Sequence, residues 1–164
     1  MTGLVTNQDL DPERLRAAFG IFPTGVVAVA AEVDGVLVGL AASSFSSVSL
    51  DPPLVSFSIA RTSKTWPDLR RSDRLGVTVL ADHQGEVCRQ LAGEPARRFD
   101  GVPVRVSDGA VTLDEGLARF ECSIHAEVEA GDHVVVLLRL HVVDQSDTSG
   151  PLVFHRSAFG RLAV

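Results

Sequence analysis

Two adjacent stretches near the C-terminus constrain the fold of this chain more than any other feature. The residues Arg119–Glu129 (RFECSIHAEVE) alternate polar and apolar side chains without a break, which is the pattern of a half-buried β-strand. The turn Ala130-Gly131-Asp132 leads from them into His133–Val143 (HVVVLLRLHVV), a run that is apolar on both faces. Such a run is expected at the centre of a sheet or at an interface. These two stretches therefore predict a mainly β fold.

Shorter apolar runs predict the other strands. The runs Val26–Glu32 and Val36–Ala41 flank Asp34-Gly35, a dipeptide typical of a two-residue hairpin turn. The remaining predicted strands are Leu54–Ala60, Arg74–Ala81 and Leu152–Phe154. The gaps between strands rarely hold a full crossover helix, which disfavours a parallel α/β architecture. Six or seven mostly antiparallel strands with short helices between them therefore predict a closed or nearly closed β-barrel.

Helices are predicted in the connections. Asp11 and Pro12 are typical of an N-cap and a first helical turn. An apolar face then follows at helical spacing, formed by Leu15, Ala18, Phe19 and Phe22. Another short helix is predicted over Gln84–Ala92, where Gly93 would end it. The segment from Glu94 to Gly116 is rich in Pro, Gly and Asp and is expected to run over the surface.

Composition narrows the class of protein. The 164 residues suit a single domain, 1–164, with residues 1–10 as a flexible N-terminus. A net charge of −6 argues against binding to nucleic acid or to anionic membranes, which needs a basic surface. No apolar run approaches the roughly 20 residues that span a bilayer, and the N-terminus shows no signal-peptide pattern. Cys88 and Cys122 are expected to be free and reduced, which predicts a cytoplasmic protein.

The stretch ASSFSSVSLDPP (Ala42–Pro53) lies between two predicted strands and is rich in serine. Its serines 43, 44, 46 and 47 are placed where one strand has ended and the next has not begun, which is a usual position for a ligand-binding loop. Small residues allow backbone amides to approach a phosphate closely, and hydroxyls both donate and accept hydrogen bonds. The alternative is a solvated connection that binds nothing.

The segment Arg61-Thr62-Ser63-Lys64-Thr65 places two cations and three hydroxyls at the start of a helix predicted to run to Arg71. Helix capping explains the hydroxyls. It does not explain the cations, which oppose the helix dipole at an N-terminus. An anionic ligand would remove that conflict.

His133 opens a largely apolar strand, and it is expected either at a solvated strand end or facing a cleft where it contacts a substrate. None of the five histidines has metal-ligand spacing with Asp, Glu or Cys, so no metal site is predicted. The chain contains no GxGxxG or P-loop motif and no GxSxG motif. Rossmann, nucleotide triphosphatase and common serine hydrolase functions are therefore disfavoured.

Five stretches together carry a resemblance to a known family. They are FGIFPTGVVAVAA (Phe19–Ala31), DGVLVGLAASSFSSVSLDPPLVSFSIARTSKT (Asp34–Thr65), LGVTVLADHQGEVCRQLAG (Leu75–Gly93), RFDGV (Arg98–Val102) and AGDHVVVLLRL (Ala130–Leu140). With PTGV, SSFxSVSxDPP and GDH in that order, the chain resembles the flavin reductase-like family. These are FMN-binding split β-barrel proteins that serve as reductase components of two-component flavin-dependent monooxygenases.

The resemblance implies a set of site residues. The residues implied to hold the flavin are Thr24, Gly25, Ala41, Ala42, Ser43, Ser44 and Ser47, with Arg61, Ser63, Lys64 and Thr65 at the phosphate end. His133 is implied to position the nicotinamide. Thr78 stands where relatives often have asparagine, and the chain has no tyrosine, so aromatic contacts near the C-terminus would fall to Phe154 or Phe159.

The resemblance also implies an activity: hydride transfer from NADH or NADPH to FMN or FAD. The same likeness implies a homodimer and a transient partner, a flavin-dependent monooxygenase that receives the reduced flavin. Two other functions remain open on this fold. One is a non-catalytic flavin-binding or sensor protein, and the other is a flavoprotein that reduces another acceptor, such as a cobalamin or a metal complex.

Overall fold

The computed structural model describes residues 10–163, and antiparallel strands dominate it. The helices are α1 (Pro12–Phe19), α2 (Trp66–Leu69) and α3 (Gly85–Leu91), with a 3-10 turn at Pro95–Arg97. The strands are β1 (Thr24–Gly25), β2 (Val27–Val33), β3 (Val36–Ala42), β4 (Ser46–Leu50), β5 (Pro53–Ala60), β6 (Leu75–Val79), β7 (Val104–Ser107), β8 (Ala110–Leu113), β9 (Ala118–Ala130), β10 (His133–Gln145), β11 (Leu152–His155) and β12 (Ala158–Arg161). The predicted flexible N-terminus lies outside the described residues, apart from Leu10.

The strands form two antiparallel sheets. The smaller sheet has the order β1-β11-β12, and the larger has the order β4-β5-β10-β9-β6-β2-β8-β7 with β3 paired to β2. β9 and β10 are joined by a turn in which Gly131 has a φ of +65°, a conformation that favours glycine. Because β10 lies between β5 and β9, its prediction as a central strand is confirmed. The mainly β prediction is confirmed as well.

Strand β2 separates two hydrophobic clusters, because its side chains alternate between its two faces. Val27 and Val29 join one cluster with Phe57, Trp66 and residues of β6, β9 and β10. Ala28 joins the other with Leu91 and residues of β8, β11 and α3. This is why the run VVAVAA is apolar at every position.

The segment 94–116 differs from its prediction. It contains β7 and β8, and all four residues of β8 are buried, with Val111 and Leu113 fully inaccessible. A turn with positive φ at Asp108 and Gly109 joins the two strands. The prediction of a surface excursion is therefore wrong for β8. The Asp-Gly dipeptide between short apolar runs was a hairpin signal, but the surrounding Pro and Gly residues obscured it.

Two other predictions need correction. The expected count of six or seven strands is too low, because five short strands were missed: β1, β4, β7, β8 and β12. The helix expected to reach Arg71 ends at Leu69 after a single turn, although Trp66 and Leu69 are buried as predicted. The dipole argument for an anion at this helix is correspondingly weak, because the macrodipole arises from aligned peptide units over several turns.

Helix α1 begins as predicted, since the Asp11 side chain accepts a hydrogen bond from the Arg14 amide. Its apolar face is not buried within the single chain. Phe19 is 71% exposed and Phe22 is 75% exposed, and Ile21 beside them is 56% exposed. In the described residues, no helix combines the length and the hydropathy needed to cross a membrane.

Candidate functional site

Two adjoining cavities lie between β3 and α3 and together form the cleft described below. The predicted serine loop reaches one end of it through Ser43. The first part is a cavity of about 240 Å³ walled by apolar side chains and small residues. Its lining residues are Val26, Ala41, Ala42, Ser43, Cys88, Arg89, Ala92, Phe154 and Phe159. The second part, of about 400 Å³, shares Ala41 and Ala92 with the first and extends to Lys64, Thr65 and Arg98. These sizes are typical of a small-molecule site.

The two ends of the cleft differ in chemistry. Phe154 and Phe159 form an aromatic wall at one end, with ring centroids 5.7 Å apart, and the Arg89 guanidinium lies 4.8 Å from the Phe159 centroid. Cys88 also lines this end, where burial raises the pKa of its thiol and keeps the group neutral. The other end holds the cations Lys64 and Arg98.

The serine stretch is only partly a loop. Ser43 lines the cleft together with Ala41 and Ala42. Ser46 and Ser47 belong to β4, where they pair with Ser56 and Val55, so their prediction as loop residues is wrong. In the single chain Ser47 lines none of the cavities described here.

Ser44 extends the sheet beyond the end of β4. Its Oγ accepts from the Ser58 amide at 2.9 Å and donates to the Ser58 carbonyl at 3.1 Å. Because β4 pairs Ser46 with Ser56, Ser58 is the next position of that ladder, and the hydroxyl replaces the missing backbone partner. The role of Ser44 in this structure is to anchor the loop to β5.

The segment 61–65 divides between two cavities. Lys64 and Thr65 line the cleft, whereas Arg61 turns away toward the β9–β10 turn. Its Nη2 lies 3.5 Å from Glu129 Oε1, and its amide donates to the Asp132 carbonyl. Arg61 lines a neighbouring cavity of about 210 Å³ with Trp66, Arg70 and Glu127. This cavity shares Ile59, Ala60 and Ser63 with the second part of the cleft.

Ser63 acts as a cap at this turn, and it also lines the cleft. Its Oγ accepts hydrogen bonds from the amides of Thr65 and Trp66, at 3.3 and 3.2 Å. The hydroxyl of Thr65 has a different partner, because Oγ1 accepts from Arg98 Nη1 at 2.9 Å. The hydroxyl proton of Thr65 takes no part in that bond, so Thr65 can donate it to a ligand.

Thr24 and Gly25 face opposite sides of the small sheet. Thr24 pairs with Phe154, which lines the cleft, and Gly25 pairs with Val153. The Oγ1 atom of Thr24 is buried and has no hydrogen-bond partner among the described residues. Such an orphaned hydroxyl is costly unless something outside the chain satisfies it. A Cβ atom at Gly25 would meet no atom within 4 Å.

His133 lies at the start of β10 and is about half exposed. Its Nδ1 is 2.8 Å from Asp132 Oδ1, and this hydrogen bond lowers the pKa of the Asp132 carboxyl. His133 pairs with Ala60, which lines the cleft, but His133 itself lines none of the cavities described here. In the single chain His133 therefore lies at a solvated strand end, which is one of the two positions expected from the sequence.

Thr78 occupies the core rather than the cleft. It is fully buried on β6, and its Oγ1 accepts a hydrogen bond from the Leu113 amide at 3.0 Å. The hydroxyl therefore satisfies a backbone donor of β8.

Arg98 is the main cleft residue to which the sequence alone assigned no role. It belongs to the RFDGV stretch, and its guanidinium reaches back to β3, where Nη1 donates to the Gly39 carbonyl at 2.8 Å. The available signal was the RFDGV stretch itself, which contributes to the family resemblance. Its contacts lie 59 and 33 residues away in the chain and could not be read from local pattern.

Comparison with known proteins identifies the family of this chain. The family model described as "Flavin reductase like domain" matches residues 19–163. A flavin reductase of Pseudomonas putida is 38% identical over 162 residues, covering 98% of this chain and 95% of that protein. The reductase subunit HsaB of a flavin-dependent monooxygenase from Rhodococcus jostii is 35% identical, covering 96% of this chain and 81% of that protein.

A solved structure is similar over nearly the whole chain. It is the Streptomyces globisporus C-1027 NADH:FAD oxidoreductase SgcE6 in complex with NAD and FAD fragments. Its TM-score is 0.89 at 31% identity, and the match covers 98% of this chain and 97% of that one. The predicted split β-barrel is thereby confirmed.

The protein described here belongs to the flavin reductase-like family. Its activity is that of an NAD(P)H:flavin oxidoreductase, with flavin and a nicotinamide as its small-molecule partners.

Proposed function

We propose that the cleft between β3 and α3 is the site where this chain binds flavin and transfers a hydride to it from NADH or NADPH. The observation that carries this proposal is that an aromatic wall, with Arg89 stacked on it, lies at one end of the cleft, while Lys64 and Arg98 lie at the other end. Flavin has the same division, since a planar apolar ring system is joined through a ribityl chain to a phosphate. Two adjoining cavities that share Ala41 and Ala92 and carry these two chemistries fit such a molecule.

The hydroxyl of Thr24 lies beside the aromatic end of the cleft, although Thr24 itself lines none of the cavities described above. A buried hydroxyl without a partner is uncommon in a folded chain. Its pairing partner Phe154 lines the aromatic end of the cleft. A flavin has several ring nitrogens and carbonyl oxygens that can satisfy such a group. We assign Thr24 to the ring end of the flavin, with Gly25 beside it.

Bound flavin supplies the hydride-accepting chemistry, and the protein supplies binding, orientation and exclusion of water. The small residues Ala41, Ala42 and Ser43 let the flavin approach the β3 backbone, and Ser44 holds their loop against β5. Lys64 and the free hydroxyl proton of Thr65 bind the phosphate, and Ser63 stabilises the turn that carries them. The aromatic wall excludes water from the ring. No side-chain acid or base is required at the acceptor nitrogen.

Six residues of the implied set line no part of the cleft in the single chain: Thr24, Gly25, Ser44, Ser47, Arg61 and His133. Arg61 and His133 both lie at the end of the barrel formed by the β9–β10 turn. We assign His133 to positioning the nicotinamide rather than to proton transfer. Ser47, on β4, has no contact with the cleft in the single chain.

We further propose that the chain forms a homodimer of single-domain subunits. The support is the exposed apolar surface of Phe19, Ile21 and Phe22, together with Val142 and Val143 on the two-sided strand β10. Single exposed apolar residues are normal, but a cluster of large ones is typical of an interface. Sedimentation or light scattering of the wild type and of F19S/F22S tests this proposal. A monomeric wild type contradicts it.

The reduced flavin is proposed to pass to a partner flavin-dependent monooxygenase. The support is the likeness to HsaB, which is named as the reductase subunit of such an enzyme. A protein of this kind needs no large docking surface for its partner, because free flavin can carry the electrons by diffusion.

The decisive experiment is NADH and NADPH oxidation by the purified protein with FMN, with FAD and without flavin. Rapid flavin-dependent turnover is expected, and the preferred flavin identifies the physiological one. A yellow protein that oxidises neither nicotinamide would instead indicate the binding or sensor function. Turnover only when a cobalamin or a metal complex is added would indicate the alternative acceptor.

A further inference from the structure

The guanidinium of Arg98 is held in the cleft by neutral acceptors only. Its Nε donates to the Gly93 carbonyl at 3.0 Å, and Nη1 donates to the Gly39 carbonyl at 2.8 Å and to Thr65 Oγ1 at 2.9 Å. In residues 10–163, no carboxylate lies within 4.0 Å of it as an ion-pair partner. A half-buried cation without a counter-ion is unfavourable unless an anion completes the site.

The surrounding charges point the same way. Lys64 lines the same cleft and also forms no ion pair in the described part of the chain. Among the residues that line the second part of the cleft and the adjoining cavity of about 370 Å³, the one carboxylate is Asp68, which lines the latter with Lys64, Thr65 and Arg98. It forms no ion pair with either cation. Two cations and one carboxylate leave this end of the cleft with a net positive charge.

Contacts of the neighbouring residues fix the position of Arg98. Phe99 packs directly on Gly39, and Gln90 Nε2 donates to the carbonyls of Arg97 and Asp100 at 2.8 Å each. These contacts fix the chain on both sides of Arg98, so its guanidinium is preorganised before any ligand arrives. A preorganised cation binds an anion with little ordering cost.

We propose that Arg98, and not Arg61, supplies the guanidinium that binds the flavin phosphate together with Lys64 and Thr65. The inference rests on the proposed flavin site and adds to it the residue that recognises the phosphate. Thr65 links the two parts of this subsite, since its oxygen accepts from Arg98 and its proton remains for the phosphate. Arg61 is the weaker candidate, because its side chain pairs with Glu129 and does not line the part of the cleft that Lys64, Thr65 and Arg98 line.

The test compares FMN with riboflavin, which differs from it only in lacking the phosphate. Dissociation constants are measured by quenching of flavin fluorescence for the wild type, R98Q and R98K. Loss of a charge-assisted hydrogen bond predicts that R98Q binds FMN about 10- to 100-fold more weakly. The affinity of R98Q for riboflavin is expected to change less than about twofold. The affinity of R98K for FMN should lie between those of R98Q and the wild type, because lysine keeps the charge but lacks the planar guanidinium that makes two hydrogen bonds at once.

The matched control is R97Q. Arg97 is the exposed neighbour, and its side chain makes only a 3.9 Å contact with Glu94. Its replacement should leave both affinities unchanged. Equal loss of FMN and riboflavin affinity in R98Q would show that Arg98 only supports the fold, and it would overturn the inference. So would a wild type that binds both flavins equally.

The wild type separates the inference from the proposed function. If it oxidises NADH in a flavin-dependent manner while R98Q keeps its preference for FMN over riboflavin, only the inference fails. If the wild type neither binds nor reduces any flavin, the proposed function fails with it. Thermal unfolding of each variant confirms that the folded protein is being compared.

Discussion

Phe99 packs so closely on Gly39 that a Cβ atom at position 39 would lie 2.5 Å from the ring carbon Cζ. The same atom would lie 3.0 Å from Ala30 Cβ and from the Val29 carbonyl oxygen. Any side chain at this point of β3 would have to displace the Phe99 ring, and through this contact the segment of Arg98 packs against the barrel.

We expect Gly39→Ala to destabilise the protein by about 1–3 kcal/mol, because the added methyl overpacks a close contact. It should also weaken FMN binding, since the displaced ring carries Arg98 with it. Urea denaturation and flavin titration measure the two effects. In the double variant G39A/F99L the shorter side chain should relieve part of the clash. Strictly additive losses in the double variant would contradict this account.

Thr24→Val removes the orphaned hydroxyl while keeping the shape of the side chain. Because Oγ1 has no partner among the described residues, the flavin-free protein should lose no stability and should gain up to about 1 kcal/mol. Flavin affinity is expected to fall about 10-fold, which corresponds to one hydrogen bond. Thr24→Ser is the control that restores the hydroxyl and the affinity. A destabilised flavin-free variant with unchanged affinity would show that the hydroxyl serves the fold.

Ser44→Ala removes both hydrogen bonds to the Ser58 backbone. We expect a loss of about 1 kcal/mol in stability, because the amide and carbonyl of Ser58 would then have only water as a hydrogen-bond partner. Flavin affinity should fall as well, because the loop that carries Ser43 is no longer anchored. The control is Ser46→Ala, whose hydroxyl contacts only the adjacent Ser47 carbonyl. Equal effects of the two substitutions would count against an anchoring role for Ser44.

Glu127 accepts hydrogen bonds from Arg70 at 2.7 Å and from the indole of Trp66 at 2.9 Å. The bond from Arg70 is the main reason that the pKa of the Glu127 carboxyl lies below its ordinary 4.5. A carboxyl whose pKa is lowered in the folded state stabilises the protein at pH values above its ordinary pKa. This stabilisation is lost as the pH falls through the pKa of the folded state. Glu127→Gln should therefore cost about 1 kcal/mol at pH 7.

Urea denaturation at pH 7 and at pH 3.5–4 tests this pH dependence. The difference in stability between the wild type and Glu127→Gln should shrink at the lower pH. If the difference is the same at both pH values, the ionised carboxylate is not the stabilising species.

His133→Ala should raise the KM for NADH by about 10-fold, the equivalent of one contact, while the dissociation constant for flavin stays within twofold. Flavin affinity should be unchanged because His133 lines no part of the cleft and adjoins it only through its pairing with Ala60. His141→Ala is the control on the same strand, where the ring contacts Ser123 at 2.7 Å. A large loss of flavin affinity with unchanged nicotinamide kinetics would remove the assigned role.

The local features of this protein follow from its sequence. The cap at Asp11, the Asp34-Gly35 turn and the strands β9 and β10 are each determined by residues close together in the chain. Capping, turn geometry and side-chain alternation act over a few residues, so a single sequence is enough to predict them. The motifs that carry the family resemblance then located the serine loop and the Lys64-Thr65 end of the cleft.

Only the tertiary structure decided which of these residues share a site. Arg61 and Arg98 are both arginines near predicted helices, yet one faces Glu129 and the other reaches the cleft. Likewise β8 was hidden in a segment with the composition of a loop, and it became core because β6 packs against it, with Gly76 directly opposite Val111. Contacts between distant residues depend on how the sheets pack, and local periodicity carries no information about that packing.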